Sequence, residues 1–167
     1  EAAQQEVLNS GGALNGVLRI STPVSFGVAH MSTAIAQFMH AHPEIRIEMD
    51  LSDKRVDLVA EGFDLAIRIG VLSDSSLIAK KISWVKKIPC AAPDFLERYP
   101  KIAKPEDLMD APALVYSNDK SPADWPYTAP DGKSGVMRVS PKLTASNGDV
   151  LREAAIAGLG ITCLPSF

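Results

Sequence analysis

Two rhythms of apolar residues take turns along this chain. Val17-Leu18-Arg19-Ile20-Ser21 is a compact, mostly apolar stretch expected as a buried strand. Thr22-Pro23 follows, pairing a hydroxyl able to cap with a proline suited to a helix's first turn. Val28, Met31, Ile35 and Phe38 then recur at three- and four-residue steps, giving one apolar helix face that Pro43 closes. Ile45, Ile47, Met49 and Leu51 alternate with Arg46, Glu48 and Asp50, which is strand periodicity. Ser52-Asp53 is expected to cap a short helix carrying Val56, Leu58 and Val59, ended by Gly62 in the left-handed conformation. Phe63–Gly70 completes a strand–helix–strand–helix–strand run, so a mostly parallel, doubly wound α/β sheet is expected.

The pattern changes from Leu77. Leu77–Ala92 reads as one long extended stretch broken only by Pro89. Short helices are expected over Pro93–Tyr99 and Glu106–Met109, and strands over Ala113–Ser117, Trp125–Thr128, Val136–Ala145 and Ile161–Leu164. The turn Asp131-Gly132-Lys133-Ser134-Gly135 joins two of these strands. Ser146-Asn147-Gly148-Asp149 caps a further helix with Val150, Leu151, Ala154 and Ala155 on its buried face, and Gly158 and Gly160 stop it. At the amino end, Glu1–Asn9 reads as the end of a helix, stopped by Ser10-Gly11-Gly12. Two α/β units joined by extended crossings describe a clamshell binding protein.

Composition narrows this picture. With 167 residues, 46% of them hydrophobic and 22% charged, the chain is long enough for one compact domain or two small lobes. No apolar run approaches the roughly 20 residues needed to span a bilayer, and the polar start is neither signal peptide nor anchor. A chain opening on Glu reads as a fragment of something longer. The net charge of -3 is spread evenly, which excludes the basic footprint of a nucleic-acid binder. Lys80-Lys81 and Lys86-Lys87 read as a solvated strand face. Cys90 and Cys163 match no metal spacing and no disulfide framework, pointing to a reducing, cytoplasmic compartment. Their strands flank the second lobe, but nothing nearby is suited to lowering a thiol pKa, which argues against a redox switch.

Candidate chemistry gathers at strand-to-helix junctions. Ser21-Thr22, Ser52-Asp53 and Ser146-Asn147 lie where open α/β sheets receive ligands, outside the carboxyl ends of strands. Helix N–H groups there also favour an anion, although each junction read singly is an ordinary cap. Arg68, near the end of the third strand, is suited to neutralising a carboxylate with a paired hydrogen bond, or to a surface ion pair. Asp53 places negative charge at the same edge. Catalytic patterns are lacking: His40 and His42 do not share a helix face, His30 has no nucleophile partner, and Gly158-Leu159-Gly160 is no dinucleotide fingerprint. No enzyme activity, cofactor or metal is expected.

Several runs, taken in order, resemble the effector-binding domain of LysR-type transcriptional regulators. They are Gly16–Ser21 with Thr22-Pro23 and Phe26-Gly27, Phe38 with His42-Pro43-Glu44-Ile45, and above all Asp57–Gly70 with its D-x-A-I-R-x-G end. Ala92-Pro93 with Phe95-Leu96, Pro105-Glu106-Asp107-Leu108, and Asn147 followed by Ala154–Ile161 and Leu164-Pro165 continue the series. The resemblance implies a periplasmic-binding-protein-like fold of type 2, two Rossmann-like lobes with a hinge and a small-molecule effector between them. It implies residues 1–12 as linker-helix end and linker, 13–87 as the first lobe and 88–167 as the second. It further implies homodimers or homotetramers, DNA bound only through an upstream winged helix-turn-helix, and no membrane partner. Carried over, the cleft draws on Ser21, Thr22, Pro23, Ser52, Asp53, Arg68, Gly70, Ser146 and Asn147, with a small organic acid as the expected effector. The family's chain normally continues past the Leu-Pro-x-Phe segment to complete the first lobe, so this chain reads as truncated after Phe167. A transport-type solute-binding protein of the same fold is the alternative.

Overall fold

A computed structural model describes residues 14–54, 56–72, 75–99, 102, 104–129 and 131–167. The expected helix end at Glu1–Asn9 and the Ser10-Gly11-Gly12 break lie outside the described residues. The chain separates into two compact units, divided after Leu72.

In the first unit, β1 (Gly16–Thr22), β2 (Ile45–Leu51) and β3 (Leu65–Ala66) form a parallel sheet in the order β2-β1-β3. β1 and β2 stay in register from Gly16 opposite Ile45 to Thr22 opposite Leu51. Strand β3 is much shorter than the expected Phe63–Gly70, pairing only Leu65 and Ala66 with Ile20 and Ser21. Two flanking bonds lengthen the ladder, from Asp64 N–H to the Arg19 carbonyl at 2.9 Å and from Ile67 N–H to the Ser21 carbonyl at 2.8 Å. Past Ile67 the chain leaves the sheet, and Gly70 takes a positive φ of 138°.

Between β1 and β2 the backbone runs through α1 (Val24–Phe26), a π-helical segment Gly27–Met31 and α2 (Ser32–Ala41). The wide π turn has a local cause. The Ser32 hydroxyl reaches back to the carbonyls of Gly27 at 3.2 Å and Val28 at 3.1 Å, competing with the α ladder. Gly27 is required for close packing, because a Cβ there would sit 2.8 Å from Thr22 Cγ2 and 3.1 Å from Leu51 Cδ2. The expected apolar face is only partly covered: Met31 and Ile35 are half-buried, while Val28 stays 64% exposed.

The helix expected after Ser52-Asp53 does not form; residues 58–62 are a turn. Asp57, not Ser52 or Asp53, caps it, with Oδ1 accepting from Val59 N–H at 3.0 Å and Ala60 N–H at 3.1 Å. Phe63 N–H to Leu58 O and Gly62 N–H to Val59 O then close it as a Schellman motif, with Gly62 at φ 69° as expected. Among the described residues a single α-type bond, Glu61 N–H to Asp57 O, is too little to propagate a helix.

The second unit holds a four-stranded sheet in the order β4-β9-β5-β8, namely Lys87–Cys90, Ile161–Pro165, Pro112–Tyr116 and Ser140–Ala145. β4 runs antiparallel to β9, and β5 is parallel to both neighbours. The hairpin β6 (Asp124–Thr128) and β7 (Ser134–Arg138) forms a separate antiparallel ribbon. Helices α3 (Pro93–Arg98) and α4 (Gly148–Ile156) and a 3-10 turn, Pro105–Leu108, complete it. Both faces of β5 are covered. Ala113 and Val115 pack with Phe95, Leu108, Trp125, Met137 and Ile161, while Leu114 packs with Leu151, Ala154 and Ala155. The helix-free reading from Leu77 holds, but strand structure appears only at Lys87–Cys90.

Candidate functional site

Parallel pairing in the first unit brings the carboxyl ends of its strands to one edge. Ser21 and Thr22 end β1, Ser52 and Asp53 follow β2, and Arg68 follows β3. Successive side chains on a strand point to opposite faces, so Ser21 and Thr22 diverge.

Ser21 is fully buried and faces the same way as its register partner Asp50. Arg68 comes back across the edge to it. Its Nη2 donates to Ser21 Oγ at 2.9 Å and its Nη1 donates to the Ile67 carbonyl at 3.1 Å. Burial lowers the Arg68 pKa below its ordinary value, opposed by the attraction of Asp50 and Glu61. Yet no carboxylate among the described residues comes within ion-pair distance of it.

Thr22 turns toward the helical side. Its Oγ1 is buried with no hydrogen-bond partner among the described residues, and its carbonyl accepts from Ser52 N–H at 2.9 Å. It is therefore not the expected cap of the helix that follows. Pro23 occupies the N-cap position, with no side-chain bond of its own. The acceptor comes instead from Asp53, whose Oδ1 takes the Val24 N–H at 3.0 Å. That helix start is thus occupied by the protein's own carboxylate. Ser52 Oγ accepts from Lys54 N–H at 3.3 Å. Gly70 is exposed.

In the second unit, Asn147 caps α4 as expected, with Oδ1 accepting from Asp149 N–H at 3.0 Å and Val150 N–H at 3.3 Å. Ser146 is exposed, and its carbonyl accepts from Asn118 Nδ2 at 3.3 Å. Ser21, Thr22, Pro23, Ser52, Asp53 and Arg68 are gathered at one edge, while Ser146 and Asn147 belong to the second unit's edge.

One constellation escaped the sequence reading. Arg19 pairs with Glu48 at 3.2 Å, donates to the carbonyls of Glu61 and Gly62, and takes Asp64 Oδ2 on its backbone N–H. It fastens the Schellman turn to the sheet beside a hollow of about 340 Å³ lined also by Asp50 and Phe63. The visible signal was a charged residue inside an apolar strand, but its partner carbonyls 42 and 43 residues away carry no sequence mark.

The cysteines are free. Cys90 stands opposite Thr162, so Cys163 points to the other face of the sheet. Burial raises both thiol pKa values. Neither the register nor the pKa directions favour a redox pair. Lys81 lies over the Trp84 ring and Lys87 pairs with Asp119 at 2.6 Å, and neither pair forms a phosphate-like cluster. Among the described residues no group of three or more His, Cys, Asp or Glu is placed to hold a metal, and no helix is long and apolar enough to cross a membrane.

A parallel α/β edge bearing hydroxyls and a half-buried arginine is the kind of edge at which open α/β sheets receive ligands. Residues 11–167 match the LysR substrate binding domain family. An uncharacterized HTH-type transcriptional regulator of Haemophilus influenzae is 34% identical over 167 residues, 100% of this chain and 58% of that protein. The full-length virulence activator AphB of Vibrio cholerae aligns with a TM-score of 0.79 at 33% identity, covering 98% of this chain and 56% of that one. The regulatory domain of CrgA, a LysR-type regulator from Neisseria meningitidis, gives 0.77 at 27% identity over 91% of this chain and 74% of its own. The chain belongs to the LysR substrate-binding domain family, with its type 2 periplasmic-binding-protein-like fold. It spans about half the length of the curated relatives it matches.

Proposed function

We propose that this chain is the effector-sensing part of a LysR-type transcriptional regulator. In this reading a small molecule binds at the carboxyl ends of the parallel strands. Binding shifts a homodimer or homotetramer that positions a winged helix-turn-helix on DNA, and the domain itself contacts no DNA, catalyses nothing and works in the cytoplasm. The observation that carries it is the family match over residues 11–167, continuous through both units. The evenly spread charge agrees, since phosphate binding draws on clustered Lys and Arg. The proposed contact residues of the first unit are those of its strand edge, Ser21, Thr22, Pro23, Ser52, Asp53, Arg68 and Gly70; those proposed for the second unit, taken by itself, are Ser146 and Asn147. A transport role is not favoured, because the relatives are transcriptional regulators.

The test is a thermal-shift screen of carboxylates, amino acids, amines and neutral aromatics, followed by sedimentation with each hit. Selective binding to the folded state raises the melting temperature with dose. A hit that also changes the sedimentation coefficient is expected. A flat response across every chemical class would sink the sensing role.

A further inference from the structure

We propose that the stretch from Leu77 to Lys87 is a docking strand for a second copy of this chain, paired antiparallel about Ile82.

Three observations lead there, and none involves the effector edge. The first is exposure. Ile78 is fully exposed, Ile82 and Trp84 are 82% and 84% exposed, and Leu77, Val85 and Ile88 lie at the surface beside them. Single apolar residues at a surface are ordinary, but a continuous run of them marks a contact. In an extended chain Ile78, Ile82 and Trp84 fall on one face, because successive side chains alternate.

The second is an open backbone. Residues 78–86 lead directly into β4 but belong to no strand. Among the described residues no backbone hydrogen bond reaches residues 78–85. The pairing with β9 runs out where Ser166 N–H donates to the Lys86 carbonyl at 2.9 Å. β4 is itself the outer strand of its sheet. Unpaired N–H and C=O groups along an edge are a template for another strand.

The third is what fits there. Lysines ordinarily protect such an edge, since like charges directly opposite one another repel. Here their spacing removes the conflict in one register. Antiparallel pairing of residues 78–86 with the same residues of another copy centres on Ile82. It sets Lys80 opposite Trp84, Lys81 opposite Ser83, Lys86 opposite Ile78 and Lys87 opposite Leu77, so no lysine meets a lysine. Moving the centre by one residue either way puts Lys81 against itself or Lys80 against Lys86. The pairing of Lys80 with Trp84 occurs twice about the two-fold axis and suits a cation over an aromatic face. The indole already has that character within one chain, where Lys81 Nζ lies 2.9 Å from the ring centroid. A nucleic acid or an anionic lipid would also attract the lysines. Neither uses an open backbone edge, and the chain's net charge of -3 opposes both.

The experiment introduces one cysteine into the whole chain, in a Cys90→Ser/Cys163→Ser background, as Ile82→Cys or as Ala79→Cys, and oxidises each with diamide. Pairing about Ile82 brings the two copies' position 82 to about 5 Å between Cα atoms, within reach of a disulfide. Position 79 would face Val85 of the other copy, roughly 20 Å from its own equivalent. Ile82→Cys should therefore form disulfide dimers about tenfold or more faster than Ala79→Cys. Adding Trp84→Ser to Ile82→Cys should slow that cross-linking by about tenfold, since two indoles leave the interface. In the unsubstituted chain, acrylamide should quench Trp84 less as protein concentration rises, while the buried Trp125 stays unchanged. Melting temperatures check that each variant folds. Equal cross-linking at positions 82 and 79, or a Trp84 still open to acrylamide at the highest concentration, would overturn the proposal. Retention on single-stranded DNA or phosphatidylserine vesicles with no preference for position 82 would assign the stretch to an anionic partner and overturn it as well.

Discussion

At the scale of single residues, the edge of the first unit shows how one side chain can displace another from an expected role. Thr22 precedes a proline at a helix start and has the chemistry of a cap. Asp53 takes the bond instead because the β1–β2 register delivers the end of β2 beside Val24. The Thr22 hydroxyl is left buried without a partner among the described residues, which costs free energy. Thr22→Val, nearly the same shape without that polar atom, should therefore raise the urea midpoint, by the equivalent of about 1 kcal/mol. A lowered midpoint would show that the hydroxyl is satisfied in solution. Asn147 is the opposite case, since its cap was legible and is formed. Asn147→Ala should lose about 1 kcal/mol of stability in the same assay. The cysteine directions lead to a pH prediction. A thiol pKa raised in the folded state keeps the neutral form favoured there, so stability is retained below the ordinary thiol range near 8.5 and declines as pH climbs above it. Iodoacetamide should likewise label the folded chain at pH 8 more slowly than the urea-unfolded chain. Equal rates would contradict the burial argument.

At the scale of elements, periodicity located β1, β2, the helix that follows β1, and α4. It failed where ends are set by contacts remote in sequence. The turn after Asp57 carries Val56, Leu58 and Val59 in a helix-like pattern, yet Asp57 and Gly62 stand too close together to leave room for a helix. Strand β3 is short because only Leu65 and Ala66 lie in full register against β1. Gly160 shows the same dependence. It reads locally as a helix stop, but a Cβ there would run into the Pro112 carbonyl and stand 3.1 Å from Leu114 Cδ2, so its smallness serves the approach of β9 to β5. Gly160→Ala should cost about 1–3 kcal/mol through forced displacement in a packed core, read as a fall in melting temperature. An unchanged melting temperature would mean that β5 and β9 sit further apart than described.

At the scale of the whole molecule, burial is unevenly shared. The second unit has two clusters of buried side chains on either side of β5, whereas in the first only Ile20, Ser21, Thr22 and Gly27 are buried among the described residues. Local stability follows buried apolar contact. Hydrogen exchange should accordingly be slowest at the amides of β5 and β9 and faster along α2, whose residues are all half-buried or exposed. Equal protection in α2 and β5 would contradict this ranking. The α/β class, the parallel first sheet, the helix capped at Asn147 and family membership were all set by the sequence itself. They rest on local periodicity, capping chemistry and an ordered series of short motifs, none of which needs a distant partner. Tertiary structure alone decided that Asp53 caps the helix beside Thr22, that Arg19 fastens a turn to the sheet, that Cys90 and Cys163 face apart, and that Arg68 grips Ser21 across the strand edge. Each of these depends on which remote backbone the register of a sheet brings within about 3 Å, the reach of a hydrogen bond, and that distance is written in no local stretch of residues.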